Sequence, residues 1–176
     1  MMVKLTTERL LIRDPVPADL DSWHLLKSDA WNMRFVEQLQ TRTVEESRAD
    51  LRKAIDAAAE QERDIYFFSI VLAGTGEFIG SIGFRTERKA QGLTCGAGWF
   101  LLPEHQGRGY ATEAFRALLP FMFRDCGIDV IDAGCKRANP ASERIMQKCG
   151  MRKIRECENG TRVQYQLTRE DFQESI

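Results

Sequence analysis

No run in the 176 residues approaches the ~18 consecutive apolar residues that a bilayer-spanning helix needs. The start, Met1-Met2-Val3-Lys4, leads into charged residues rather than an apolar signal segment. Charge of one sign is not in excess: 25 Lys and Arg against 26 Asp and Glu give a formal net charge of −1. That balance removes the electrostatic case for nucleic acid or a membrane surface as a partner. Cysteine is sparse and unpatterned. The five, at 95, 126, 135, 149 and 157, contain no Cys-x-x-Cys pair, so neither a disulfide framework nor a metal site is indicated. Cys126, Cys135 and Cys149 sit among apolar residues and read as small core side chains. Two familiar phosphate loops are missing: there is no Gly-x-x-x-x-Gly-Lys-Ser/Thr, and Thr112 stands where the third glycine of Gly-x-Gly-x-x-Gly belongs. Repeats, linkers and low-complexity tracts are absent too. What remains is an ordinary globular composition, 43% hydrophobic and 29% charged. It predicts a single domain over residues 1–176, large enough for a true core, and a cytoplasmic location.

The most informative stretch is Gln106-Gly107-Arg108-Gly109-Tyr110-Ala111. The apolar run 97–102 precedes it and reads as a strand; Ala111 to Phe123 follows with helical apolar spacing at Ala114, Leu118, Phe121 and Met122. A helix start leaves backbone N–H groups unpaired and carries partial positive charge. Two glycines before it let the backbone approach a ligand closely. Strand, loop and helix together predict an anion site suited to a phosphate or pyrophosphate, with an ordinary strand-to-helix turn as the plainer alternative.

The rest of the chain reads in order. Thr7 to Arg13 is a first strand, and Pro17 with Asp19 and Asp21 opens a helix carrying Leu20, Trp23, His24 and Lys27 on one side. His24 reads as a packed surface histidine. Ser28 to Thr41 has no clean period and is either a cover for the core or the wall of an acceptor site. Thr43 with Glu46 has capping-box spacing, so a helix runs from Val44 to about Glu62, with Val44, Leu51, Ile55, Ala58 and Ala59 as its apolar stripe. Ile65–Leu72 and Phe78–Arg85 form a hairpin around Ala73-Gly74-Thr75-Gly76; Thr86 to Gly92 is a looser turn; Leu93–Leu102 is the fourth strand. Gly127 ends the post-loop helix, and Ile128–Ala133 is a fifth strand, which the crossover makes parallel to the fourth. Asn139-Pro140 starts another helix with Ile145 and Met146 inward and Gly150 after it. Met151–Glu156 and Arg162–Leu167 close the chain as a hairpin around Asn159-Gly160.

The loop matches Gln/Arg-x-x-Gly-x-Gly/Ala at Gln106, Gly109 and Ala111, and so resembles the acetyl-CoA loop of the GNAT superfamily of N-acetyltransferases. Thr7–Arg13, Phe78–Gly83, Leu102-Pro103-Glu104, Gly109–Ala114 and Asn139-x-x-Ser142 followed by Gly150 are similar, in the same order, to the ribosomal-protein (Rim-type) branch. The resemblance covers nearly the whole chain. It implies an α+β GNAT fold: a mixed, mostly antiparallel sheet flanked by helices, with a parallel pair, strands four and five, that splays apart.

It also implies a chemistry. Acetyl-CoA, as co-substrate and without a metal, would lie in the splay. Backbone groups of Phe100, Leu101 and Leu102 would pair with its pantetheine arm, and Gln106, Gly107, Arg108, Gly109, Tyr110, Ala111 and Thr112 would hold its pyrophosphate. An N–H near Leu101 would stabilise the oxyanion, and Asn139 would contact the arm, a role compatible with capping its helix. Ser142 is the candidate acid for the CoA thiolate, because Met146 stands where many members carry a tyrosine. Its plainer alternative is a polar residue in the first helical turn. Gly96 occupies the position where the Rim-type pattern often has a glutamate base. Water, Glu8, Glu37 or His105 are the substitutes at hand. The activity expected is acetyl transfer to a primary amine by direct attack in a ternary complex. The acceptor is open between a protein N-terminus, an amino acid, a polyamine and an aminoglycoside. The rival class is a non-catalytic acyl-CoA-binding module. A ping-pong route through cysteine lacks a charged partner for any thiol, and phosphoryl transfer lacks a lysine after the glycines. Dimers are common in the family, which leaves a homodimer open.

Overall fold

The computed structural model describes residues 2–90 and 92–172. Its strands are β1 (Lys4–Thr6), β2 (Leu10–Arg13), β3 (Ile65–Leu72), β4 (Phe78–Lys89), β5 (Gly92–Leu101), β6 (Val130–Lys136), β7 (Arg152–Cys157) and β8 (Arg162–Thr168). The helices are α1 (Leu20–Ser28), α2 (Ala30–Met33), α3 (Val44–Ala59), α4 (Tyr110–Pro120) and α5 (Pro140–Lys148). One eight-stranded sheet runs in the order β1-β2-β3-β4-β5-β6-β8-β7. Every neighbouring pair is antiparallel except β5 and β6. This is the predicted α+β architecture, and the parallel pair is the predicted one.

The sheet separates two apolar layers. Under α4 and α5 lies the main core, with Ile12, Phe68, Ile82, Phe115, Leu118, Ile131 and Val163 all at 2% exposure or less. Under α1 and α3 lies a smaller one, built on Trp23, Leu26, Leu51, Ala54, Phe78 and Leu102. Each such large side chain removed from water stabilises the fold by roughly 1.5–3 kcal/mol. Beneath the first turn of α1, the Asp19 carboxylate accepts from both ends of the Arg13 guanidinium, from Val16 N–H and from Ser69 Oγ–H. That set satisfies a side chain only 6% exposed.

Several boundaries differ from the sequence reading. Thr7–Arg13 is not one strand. Thr7 N–H donates to Leu10 O and closes a turn, so β1 and β2 form a hairpin, and the chain has one strand more than expected. Thr86 to Gly92 is not a loose turn either. β4 continues to Lys89 and pairs in full register down to Gly92. α3 stops at Ala59, and its buried stripe is Ser47, Leu51, Ala54 and Ala57 rather than one led by Val44, which is exposed. Thr43 Oγ1 does accept from Glu46 N–H, but the Glu46 carboxylate reaches Arg42 N–H, one residue before the cap. α4 widens at its end: Cys126 N–H bonds Phe121 O, five residues back, and Gly127 at φ +68° terminates it.

The feature that shapes the site is the short pairing of β5 with β6. It spans Thr94–Gly96 against Val130–Asp132 and then stops. β5 continues to Leu101 along β4, and β6 to Lys136 along β8, so the two strands part and leave a wedge between them. No described helix is long and apolar enough to cross a membrane.

Candidate active-site cleft

The wedge opens into a cleft of about 390 Å³. Its walls come from β5, the loop after it, the tips of β6 and β8, α5, and the segment from Asn32 to Val36. Of the residues singled out by sequence, Phe100, Leu101, Gln106, Gly107, Gly109, Tyr110, Ala111, Thr112, Asn139 and Ser142 line this one cleft. Leu102 and Arg108 stay outside the lining. Leu102 is buried in the smaller core, and its N–H is spent on Ile79 O. Arg108 contributes its carbonyl, which accepts from Arg9 Nη1.

That Leu102 bond sets the parity of β5. Alternate residues of an antiparallel strand turn their N–H and C=O to the same neighbour. Phe100 therefore pairs with β4 along with Leu102, while Trp99 and Leu101 turn their backbone groups into the cleft. Leu101 O already accepts from Gln106 Nε2 at 3.0 Å, and the Leu101 N–H is left for a ligand.

Gly107 and Gly109 have φ of +75° and +84°, a left-handed backbone that disfavours other residues. The first backbone bond after the loop is Glu113 N–H to Gly109 O. Among the described residues, the N–H groups of Gly107 through Thr112 have no protein acceptor. Six unpaired donors at the positive end of α4 suit an anion of several oxygens. The pyrophosphate of acetyl-CoA fits that donor set. The loop is braced from behind by Arg9, whose guanidinium lies 4.6 Å from the Tyr110 ring centroid.

Asn139 caps α5, its Oδ1 accepting from Ser142 N–H at 3.3 Å. Ser142 sits in the first turn of α5 beside Cys135, whose Sγ also faces Asn139 O. Met146 is fully buried in the main core, so the position to which the resemblance assigns a tyrosine serves packing here. Burial pushes the Cys95 thiol up to about 12 and Cys149 up to about 11, and raises Cys126 and Cys135 as well. These thiols stay protonated near neutrality and are poor nucleophiles.

The base is where the structure adds a residue. His105 is buried with Nε2 3.1 Å from Glu77 Oε1, and neither Glu8, Glu37 nor His105 lines the cleft. Gly96 is in register with Asp132 on β6, and a Cβ on Gly96 would meet nothing within 4 Å. The Asp132 carboxylate thus borders the open space that a residue-96 side chain would fill, a hollow shared with Glu87, Thr94 and Cys95 that adjoins the cleft and is not part of its lining. Gln166 Nε2 holds its Oδ1 at 3.1 Å. Sequence spacing does not bring residues 96 and 132 together; only the pairing of the two strands does. Among the described residues, no group of three His, Cys, Asp or Glu could hold a metal ion.

The chain matches the acetyltransferase (GNAT) domain family over residues 9–152. Among curated proteins, Bacillus subtilis YnaD, named an uncharacterized N-acetyltransferase, is 32% identical over 149 residues, covering 85% of this chain and 82% of that one. Among solved structures, a GNAT-family acetyltransferase from Bacillus anthracis superposes with a TM-score of 0.79 at 27% identity, covering 96% of this chain and 99% of the other. RimL, a ribosomal L7/L12 alpha-N-protein acetyltransferase in complex with coenzyme A, shares the fold at a TM-score of 0.79 and 20% identity, covering 94% and 98%. The family match runs from the start of β2 to the start of β7 and so includes the splayed strands, the glycine loop and α5; the chain belongs to the GNAT family and is an acetyltransferase.

Proposed function

We propose that this enzyme moves the acetyl group of acetyl-CoA to a primary amine by direct attack in a ternary complex. One observation carries the reading: the parted β5–β6 pair and the unpaired N–H groups of Gly107 through Thr112 open into the same cleft. A strand edge for the pantetheine arm and an anion loop for the pyrophosphate are then contiguous.

The steps follow from the side chains. An ammonium cannot attack, so the acceptor first loses a proton. Asp132, in the hollow it shares with Gly96 beside the cleft, is the base and takes the proton through water. The amine nitrogen bonds to the acyl carbon as the C–S bond breaks, and the new amide nitrogen sheds its second proton to solvent. The Leu101 N–H stabilises the oxygen as charge gathers on it, a contribution of roughly 3–4 kcal/mol in other enzymes. Ser142 Oγ gives its proton to the departing thiolate and regains one from solvent. Cys135, the one cysteine in the cleft lining among the described residues, has its thiol pushed up by burial, so an acetyl-cysteine route lacks a ready nucleophile there. The structural kinship with Rim-type enzymes is support for a protein N-terminus as one acceptor, and the cytoplasm is the compartment we assign.

Calorimetric titration with acetyl-CoA, against CoA and ATP, tests the donor half. Micromolar binding that disappears in Gly109→Trp is the expected result. Equal affinity for ATP, or no effect of the tryptophan, would remove the loop from the account.

A further inference from the structure

Lys136 and Arg162 face each other directly across β6 and β8. Like charges in that relation repel and weaken a sheet. The surrounding carboxylates do little to offset this. Glu158 comes within 3.6 Å of Arg162 Nε, a loose contact. Glu156 is taken by Arg137 and Lys153, Glu143 accepts from Tyr165 Oη–H, and Asp132 accepts from Gln166. The Lys136 ammonium has no ion pair or hydrogen-bond partner among the described residues.

Both cations line the cleft, together with Arg34, Arg144 and Lys148; no aspartate or glutamate among the described residues does. Arg144 and Lys148 lie one turn apart on α5 and flank Ile145, on the wall that faces Ala111 and Thr112. They suit the phosphates of the donor. Lys136 is four residues past Asp132, the register partner of Gly96, so alternation along β6 puts Lys136 and its cross-strand neighbour Arg162 on the face of the sheet that carries Gly96. Arg34 stacks its guanidinium on Trp31 and Phe35, at 3.9 and 4.4 Å, with no carboxylate partner.

We infer that the acceptor carries a carboxylate close to its amine, and that Lys136 and Arg162 bind it. The inference rests on the acetyl-transfer reading above and narrows it. A polyamine or aminoglycoside brings further positive charge into a cleft whose charged side chains, among the described residues, are all positive. An acid-bearing amine supplies counter-charge to Lys136 and to Arg162, which Glu158 holds only loosely and whose planar fork matches a carboxylate. Free amino acids and peptides with an acidic residue at or beside the N-terminus share this chemistry.

The test is an acceptor panel with the full chain at saturating acetyl-CoA, read by thiol release. Its arms are free amino acids against their carboxamides, peptides with aspartate against lysine at the second position, and spermidine. The expected result is at least a ten-fold preference in kcat/KM for the acid-bearing member of a pair. Preference within the amino-acid arm or within the peptide arm identifies the source, and either supports the inference. Lys136→Gln and Arg162→Gln each lower the preference about ten-fold, chiefly through acceptor KM, while Lys136→Arg retains it. Turnover with spermidine above the acid-bearing amines, or a preference near one that the variants do not move, overturns the inference and leaves acetyl transfer standing. No thiol release with any amine, despite acetyl-CoA binding, overturns both.

Discussion

Arg9 and Glu113 lie 104 residues apart in sequence and are joined by three contacts: Arg9 Nε and Nη2 reach Glu113 Oε2 at 2.7 and 2.5 Å, and the Arg9 backbone N–H reaches Oε1 at 3.1 Å. Thr7 Oγ1–H donates to the same carboxylate at 2.6 Å. Because Arg9 also holds the Arg108 carbonyl, the turn between β1 and β2 fixes the loop whose N–H groups face the cleft. Arg9→Ala is expected to raise the Kd for acetyl-CoA about ten-fold while lowering the thermal midpoint little, since the Arg9 side chain is 44% exposed and such ion pairs add only about 0–1 kcal/mol. Calorimetry and a melting curve on the same sample separate the two effects. A large loss of stability with unchanged affinity would make the contact purely structural.

Asp132→Asn removes the proposed base and is expected to lower kcat by roughly 10²–10⁴ at neutral pH, with acetyl-CoA affinity unchanged. Gly96 provides the stronger check, because an added side chain there meets open space. In the Asp132→Asn background, Gly96→Glu puts a carboxylate into the same gap from the neighbouring strand and should recover most of the rate. Full activity in Asp132→Asn alone would send the proton through solvent.

Ser142→Ala is expected to slow turnover without changing the KM for acetyl-CoA. A donor thioester with a more acidic thiol needs less protonation as it leaves, so it should narrow the gap between wild type and variant. An equal deficit with both donors would assign Ser142 to the start of α5 and not to the leaving group.

Asp19 supplies an acid limit to stability. Burial pushes its carboxyl upward, but the Arg13 guanidinium, Val16 N–H and Ser69 hydroxyl outweigh this and hold it below the usual range. A depressed folded pKa stabilises above the unfolded value near 4, and that stabilisation is lost as pH falls through the folded value. Glu113, lowered by Thr7 and Arg9 against its own burial, acts in the same direction. Urea unfolding should therefore show stability falling below about pH 4. Asp19→Asn should cost about 2 kcal/mol at pH 7 and flatten that fall. An unchanged slope in the variant would assign the acid loss to other carboxylates.

Much of this was legible locally. The Thr43 cap, the left-handed turn at Glu158-Asn159-Gly160 and the positive φ values of the loop glycines are short-range signals, and residue type alone announces them. The errors came where polar residues occupy regular structure. Lys4–Thr6 is three residues long and half solvated, and Thr86–Lys89 is a charged extension, so neither has an apolar period to detect. On α3 the small Ser47, Ala54 and Ala57 face the core, and the larger Val44 misled. Asp132 was invisible for a different reason: its meaning depends on a strand register, which no spacing within one segment encodes.

The Gln106 side chain has a kinetic consequence. Its amide donates at once to Leu101 O and to Asn32 Oδ1, the first residue of the segment that walls the acceptor end. These bonds tie the anion loop to the wall of the acceptor end, so donor is expected to bind before acceptor. Initial-rate patterns at varied amine show this as CoA inhibition that is competitive toward acetyl-CoA and noncompetitive toward the amine, and Gln106→Ala loosens the order by freeing Asn32.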